Sequence, residues 1–67
     1  MERLSKRFVY KTHEVVIATA LNDELWTWRY SIDGLQTFVA LSFGHWTEVT
    51  AVMEAMADAR RRIDEMP

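Results

Sequence analysis

The stretch from Leu25 to Asp64 limits the folds open to this chain more than any other. Trp26, Trp28, Tyr30 and Ile32 alternate with Thr27, Arg29, Ser31 and Asp33, the period-2 pattern of a strand with one buried face. Asp33-Gly34 follows, and such a pair suits a two-residue hairpin turn because both central residues of a type I′ turn need positive φ. Leu35 to Phe43 reads as the returning strand, and Gly44 ends it. Thr47 then stands where a helix needs an N-cap hydroxyl, with Trp46 placed to staple onto Ala51. Position 50 is Thr, so the reciprocal Glu of a full capping box is missing. From Glu48 to Glu65 there is neither Gly nor Pro, and the Ala-, Met- and Arg-rich composition favours helix. Val52, Met56, Ala59 and Ile63 form its apolar stripe, flanked by Val49, Met53 and Ala55.

Upstream, Phe8 to Leu21 reads as one extended segment, with a bend around Lys11-Thr12-His13 and a β-branched run at Val15, Val16 and Ile17. Asn22-Asp23 is a turn pair, and residues 1–7, polar but for one Leu, are expected to be loosely ordered. The expectation is an α+β fold: a three-stranded antiparallel β-meander packed against one C-terminal α-helix (β-β-β-α) in two layers, with residues 8–67 as a single domain. With 67 residues and no cysteine or metal pattern to staple it, the core is small, burying roughly 60% of the unfolded surface. Three Trp, three Phe and two Tyr compensate through large buried area, at about 25 cal/mol per Å².

Charge and composition exclude several functions. Eight basic against ten acidic residues leave a net charge of −2, a poor match for a phosphate backbone. Local clusters remain at Arg3, Lys6, Arg7 and Lys11 and at Arg60, Arg61 and Arg62, which a solvated N-terminus and a helix dipole already explain. No run approaches the roughly 20 apolar residues of a membrane span, and no signal-peptide core precedes a cleavage site. With zero cysteine, a cytoplasmic location is expected and no membrane association.

No catalytic residue, cofactor site, metal site or small-molecule ligand is inferred. His13 and His45 lie far apart without the third and fourth donors that zinc requires. Asp33 is explained by its turn, Asp64 and Glu65 by a solvated helix end, and no Ser or Thr has a histidine at useful spacing. Only Gly34 and Gly44 are present, so no phosphate-cradling loop exists. The Trp26, Trp28 and Tyr30 row beside Arg29 could stack single-stranded bases, but a small domain needs those rings for its core.

Tyr10-Lys11-Thr12-His13-Glu14-Val15, Trp26 with its alternating aromatics, and Thr47 opening a helix that ends Ile63-Asp64 together resemble small bacterial proteins of unknown function. Their pattern runs Tyr-x-Gly-x-x-Ile, a Trp strand, Thr-x-x-Glu-Ala and a closing Ile-Asp, matched over about residues 10–64. The chain departs from it at Thr12, where the pattern has Gly, and at Thr50, where it has Glu. It is also similar in outline to HicB-like antitoxin domains, without their Pro-Gly-rich signature or an appended DNA-binding segment. The resemblance implies a three-stranded sheet with one helix and brings no catalytic residue.

What remains is surface. Val15 and Ile17 point opposite to Val16 and Ala18, and Phe38 and Ala40 opposite to Val39, Leu41 and Phe43. One helix covers one sheet face, so apolar groups are left outside, and such a patch usually marks an interaction surface. Val16, Ala18, Phe38 and Ala40 are its candidates. The expected function is a non-enzymatic protein-interaction module that self-associates, as a homodimer or with another protein. The alternative is a weak nucleic-acid-binding or antitoxin-like accessory protein, with Arg60, Arg61 and Arg62 as contacts.

Overall fold

The computed structural model describes residues 2–40 and 44–67. Four antiparallel strands precede one helix: β1 (Glu2–Tyr10), β2 (His13–Asn22), β3 (Leu25–Ile32), β4 (Gln36–Val39) and α1 (Glu48–Asp64). They form a simple meander in the order β1-β2-β3-β4, with the helix on one face. The α+β class and the single C-terminal helix agree with the sequence reading. The strand count is four rather than three.

The difference has a local cause. The expected bend at Lys11-Thr12 is a complete reversal, pairing Tyr10 with His13. Lys11 and Thr12 both take positive φ, 50° and 69°, a turn geometry whose usual residues are Asn, Asp and Gly. Asp23 and Glu24 make the second reversal the same way, at 50° and 70°. Residues 2–7, expected to be loose, belong to β1, which pairs with β2 from Glu2 onward through a bulge between Leu4 and Lys6. An edge strand pairs on one side only and tolerates charged residues, so its sequence lacks the alternation of an inner strand.

The third reversal uses the expected turn residues, but its loop is three residues long rather than two and β4 begins at Gln36 rather than Leu35. Asp33 and Gly34 sit at φ 54° and 68°, and the Leu35 N–H donates to the Ile32 carbonyl at 3.0 Å. Ile32 pairs with Gln36, so Leu35 is an extra residue, and it is 86% exposed. After β4 the chain rejoins the sheet at His45, which exchanges two backbone hydrogen bonds with Trp26. Gly44 allows this approach, since a Cβ there would lie 3.0 Å from the Trp26 carbonyl oxygen at φ 115°. The expected continuation of the returning strand through Leu41, Ser42 and Phe43 lies outside the described residues.

The core lies between α1 and the two central strands. Val15 and Ile17 of β2, and Trp28, Tyr30 and Ile32 of β3, meet Ala51, Ala55, Ala59 and Ile63 of the helix. Trp28 stacks on Tyr30 at 5.5 Å between ring centroids, and Tyr30 tilts against Phe38 at 5.3 Å. Thr47 caps the helix as expected, accepting from the Thr50 N–H at 3.2 Å. The buried helix line is turned from the expected stripe, however. Ala51, Ala55 and Ala59 have no exposed surface, Val52 and Met56 are half-buried, and Val49 and Met53 are exposed. The rings of Trp28 and Tyr30 already fill the layer, so the helix presents its smallest residues and lies close. That is a rotation of about 50° from the expected stripe, whose Ala59 and Ile63 stay buried.

Candidate interaction surface

Cross-strand register sorts the four candidate sheet residues onto two faces. Val16 and Ala18 pair with Ser31 and Arg29 and lie on the face that α1 leaves open. Phe38 pairs with Tyr30 and, like Ala40, packs against the core on the helix side. The Arg62 guanidinium covers the Phe38 ring at 4.0 Å. The grouping of Phe38 and Ala40 with Val16 and Ala18 therefore does not form one surface. On β4 it is Val39, opposite Arg29, that reaches the open face.

That open face is not continuously apolar. Leu4, Val9 and Val39 expose more than half of their surface there, but the Arg29–Glu2 ion pair at 2.5 Å spans β2 across Ala18 and Ala20. A second ion pair, Arg7–Glu14 at 4.0 Å, borders Val16. Charged side chains laid over small residues break the patch into islands.

The helix flanks carry a different pattern: carboxylates that accept from donors on the sheet. Glu48 takes the Thr19 hydroxyl at 2.8 Å, the Ser5 hydroxyl at 3.1 Å and the Arg3 guanidinium. Glu54 accepts from the Trp28 indole N–H at 2.7 Å, and His45 Nε2 lies 2.9 Å from it. Asp58 accepts from the Tyr30 hydroxyl at 2.6 Å, and Asp64 from Tyr10 at 3.1 Å and Lys11 at 2.6 Å. These bonds tie the helix to all three long strands. Arg3 holds the Glu48 carboxyl below the usual carboxylate range, and Lys11 does the same for Asp64. Burial raises the Asp58 carboxyl, but the bonds from Tyr30, Arg61 and Arg62 outweigh it and keep it low. Burial, then the Asp58 bond, pushes the Tyr30 phenol up.

The same network occupies the arginine cluster. Arg61 and Arg62 both bind Asp58, at 2.7 and 3.1 Å, and Arg60 lies over the rings of Phe8 and Tyr10 at 5.8 and 6.0 Å. Cations already neutralised by an adjacent carboxylate release little when they meet a phosphate. His13 and Asp33 come together at 2.6 Å, and Asp33 also accepts from the Glu14 N–H at 2.8 Å, so this pair fastens two turns to each other. The His13 hydrogen bond holds the Asp33 carboxyl below its ordinary value. Among the described residues no three His, Asp or Glu side chains are grouped as metal ligands, and no helix is long and apolar enough to cross a membrane.

Sequence reasoning missed the exposed apolar residues at and just before the helix start. Trp46 is 77% exposed and does not staple onto Ala51, and Val49 and Met53 are 68% and 64% exposed beside it. The signal was present in the width of the apolar arc, from Ala51 round to Met53, which exceeds what one sheet contact can cover. No family model matches the chain, and neither does any curated protein or solved structure.

Proposed function

We propose that this protein is a non-enzymatic, cytoplasmic protein-interaction module that associates with itself. The observation that carries this reading is the amount of large apolar side chain left in water by so small a fold. Leu4, Val9, Val39, Trp46, Val49 and Met53 are each more than half exposed. A small domain gains most from burying such groups, and a two-fold pair of identical surfaces buries them twice. Its polar groups support the reading, because the carboxylates and phenols of the helix–sheet boundary bond one another as structural partners. Edge pairing through β1 has less support. The strand carries a bulge between Leu4 and Lys6, which interrupts the ladder a second copy would extend.

Light scattering coupled to size exclusion, from about 10 μM to about 1 mM, tests the proposal. A mass rising from one chain toward two is expected, and a mass of one chain throughout would overturn it. Titration with duplex and single-stranded DNA and RNA at low and high salt tests the antitoxin-like alternative, for which a steep salt slope is the signature.

A further inference from the structure

We infer that two copies of the chain pair edge to edge through β4, antiparallel about a two-fold axis at Phe38, so that their sheets run on as one. The inference rests on the self-association proposed above and names its surface. β4 is the last strand of the sheet. The Ala40 N–H donates to the Trp28 carbonyl at 3.0 Å, and Phe38 stands opposite Tyr30, so the backbone groups of these two residues turn toward β3. By the alternation of an antiparallel ladder, the N–H and C=O groups of Thr37 and Val39 turn outward. Among the described residues no backbone group bonds them. β4 also lacks what guards an exposed edge. β1, the opposite edge, is interrupted by its bulge, whereas β4 pairs with β3 in unbroken register and residues 34–40 include neither a charge nor a proline.

The occupant is a second copy because the edge is complementary to itself. With Phe38 against the partner's Phe38, Thr37 meets the partner's Val39 and Val39 meets the partner's Thr37. Each of these pairs exchanges both of its hydrogen bonds, which uses every outward group of the two residues. Phe38 then takes the position between the bonded pairs, where opposing side chains come closest. Trp28, Tyr30 and Phe38 form a row of rings, 5.5 and 5.3 Å between successive centroids, that stops at β4. Across the axis the row continues into its own image through a cross-strand aromatic pair. The Arg62 over each Phe38 is already neutralised by Asp58, so the two cations do not oppose the contact. The helices clear one another as well. α1 packs on β2 and β3, and strands about 4.8 Å apart then place the two helix axes roughly 19 Å from each other, beyond the 8–10 Å of packed helices. A contact this short falls below about 1,200 Å² in total, the range of weak and transient pairs, so the dimer forms at high concentration.

Sedimentation velocity on the full chain from about 10 μM to about 1 mM, with Thr37→Pro, Leu4→Lys and Met53→Lys beside the wild type, tests the assignment. Proline suits an edge strand where the N–H faces solvent, and it removes the outward donor of Thr37 and sets a ring in the partner's path. Leu4 and Met53 are exposed, one on the open sheet face and one on the helix flank. The expected result is a wild type, Leu4→Lys and Met53→Lys that move from one chain toward two, and a Thr37→Pro that keeps a cooperative melt and stays at one chain. A folded Thr37→Pro that dimerises like the wild type overturns the edge, and loss of the dimer in Leu4→Lys or Met53→Lys alone moves the interface to that surface with self-association intact. Amide exchange of the wild type by NMR decides the matter even if Thr37→Pro fails to fold. The Thr37 and Val39 amides should exchange about fivefold more slowly at 1 mM than in the monomer for a Kd near 100 μM, and unchanged exchange in a dimerising sample overturns the inference. A wild type that stays at one chain throughout defeats the self-association reading itself.

Discussion

Thr12 is the residue whose conformation sits furthest from its preference. A β-branched side chain at φ 69° crowds its own backbone, and left-handed geometry costs an L-residue about 1–2 kcal/mol. Thr12→Gly removes that strain and adds some backbone entropy to the unfolded chain, so a net gain of about 0.5–1 kcal/mol is expected. Urea unfolding checks it, and a lowered midpoint would mean that the Thr12 side chain makes a contact worth more than its strain. Gly34→Val runs the other way. Nothing lies within 4 Å of a Cβ at that position, so the cost is conformational alone, a loss of about 1–2 kcal/mol. An unchanged melting temperature for Gly34→Val would contradict the left-handed turn.

At the scale of elements, the legible parts were those whose signal is local. Asp33-Gly34 marks a turn by its own φ requirement, Thr47 marks a helix start by its hydroxyl, and the Trp26–Ile32 alternation marks an inner strand by burial on one side. β1 was not legible because an edge strand is half in water, and its turn at Lys11-Thr12 is held by neighbouring pairing rather than by turn residues. The helix rotation was hidden for a different reason. Hydrophobicity locates the greasiest line, whereas close packing on aromatic rings selects the smallest one, at Ala51, Ala55 and Ala59. The same preference leaves valine and methionine of the helix, Val49 and Met53, exposed on its flank. Ala55→Leu should therefore destabilise the fold by about 1–3 kcal/mol through overpacking. Met53→Ala, at an exposed position of the same helix, should stay within about 0.5 kcal/mol of wild type. Thermal melts of the two variants decide the matter, and equal losses would put the helix in a different rotation.

The whole molecule is fastened by carboxylates set between its two layers and its turns, and this makes its stability depend on pH in a definite sense. Asp33, Glu48, Asp58 and Asp64 all have folded pKa values held below their ordinary ones. For a carboxyl depressed in the folded state, the stabilisation is complete above the unfolded pKa, near 4, and is lost as pH falls from there through the folded value. The Tyr30 phenol and the Lys11 ammonium are shifted upward, the phenol by burial first and the ammonium by the Asp64 hydrogen bond first. Their contribution is present below the unfolded pKa, near 10, and is lost as pH rises beyond it. These groups together therefore leave stability flat between about pH 5 and pH 9 and lower it on both sides. Melting temperatures at constant ionic strength from about pH 3 to pH 11 measure this. Asp58→Asn separates the central fastening from the peripheral ones, because Asp58 alone joins the Tyr30 hydroxyl to two arginines. The variant should start from a lower melting temperature at pH 7 and lose less of it on acidification than the wild type. A wild-type melting temperature unchanged from pH 7 to pH 3 would show that packing of the alanine line on Trp28 and Tyr30 holds the layers together without the carboxylates.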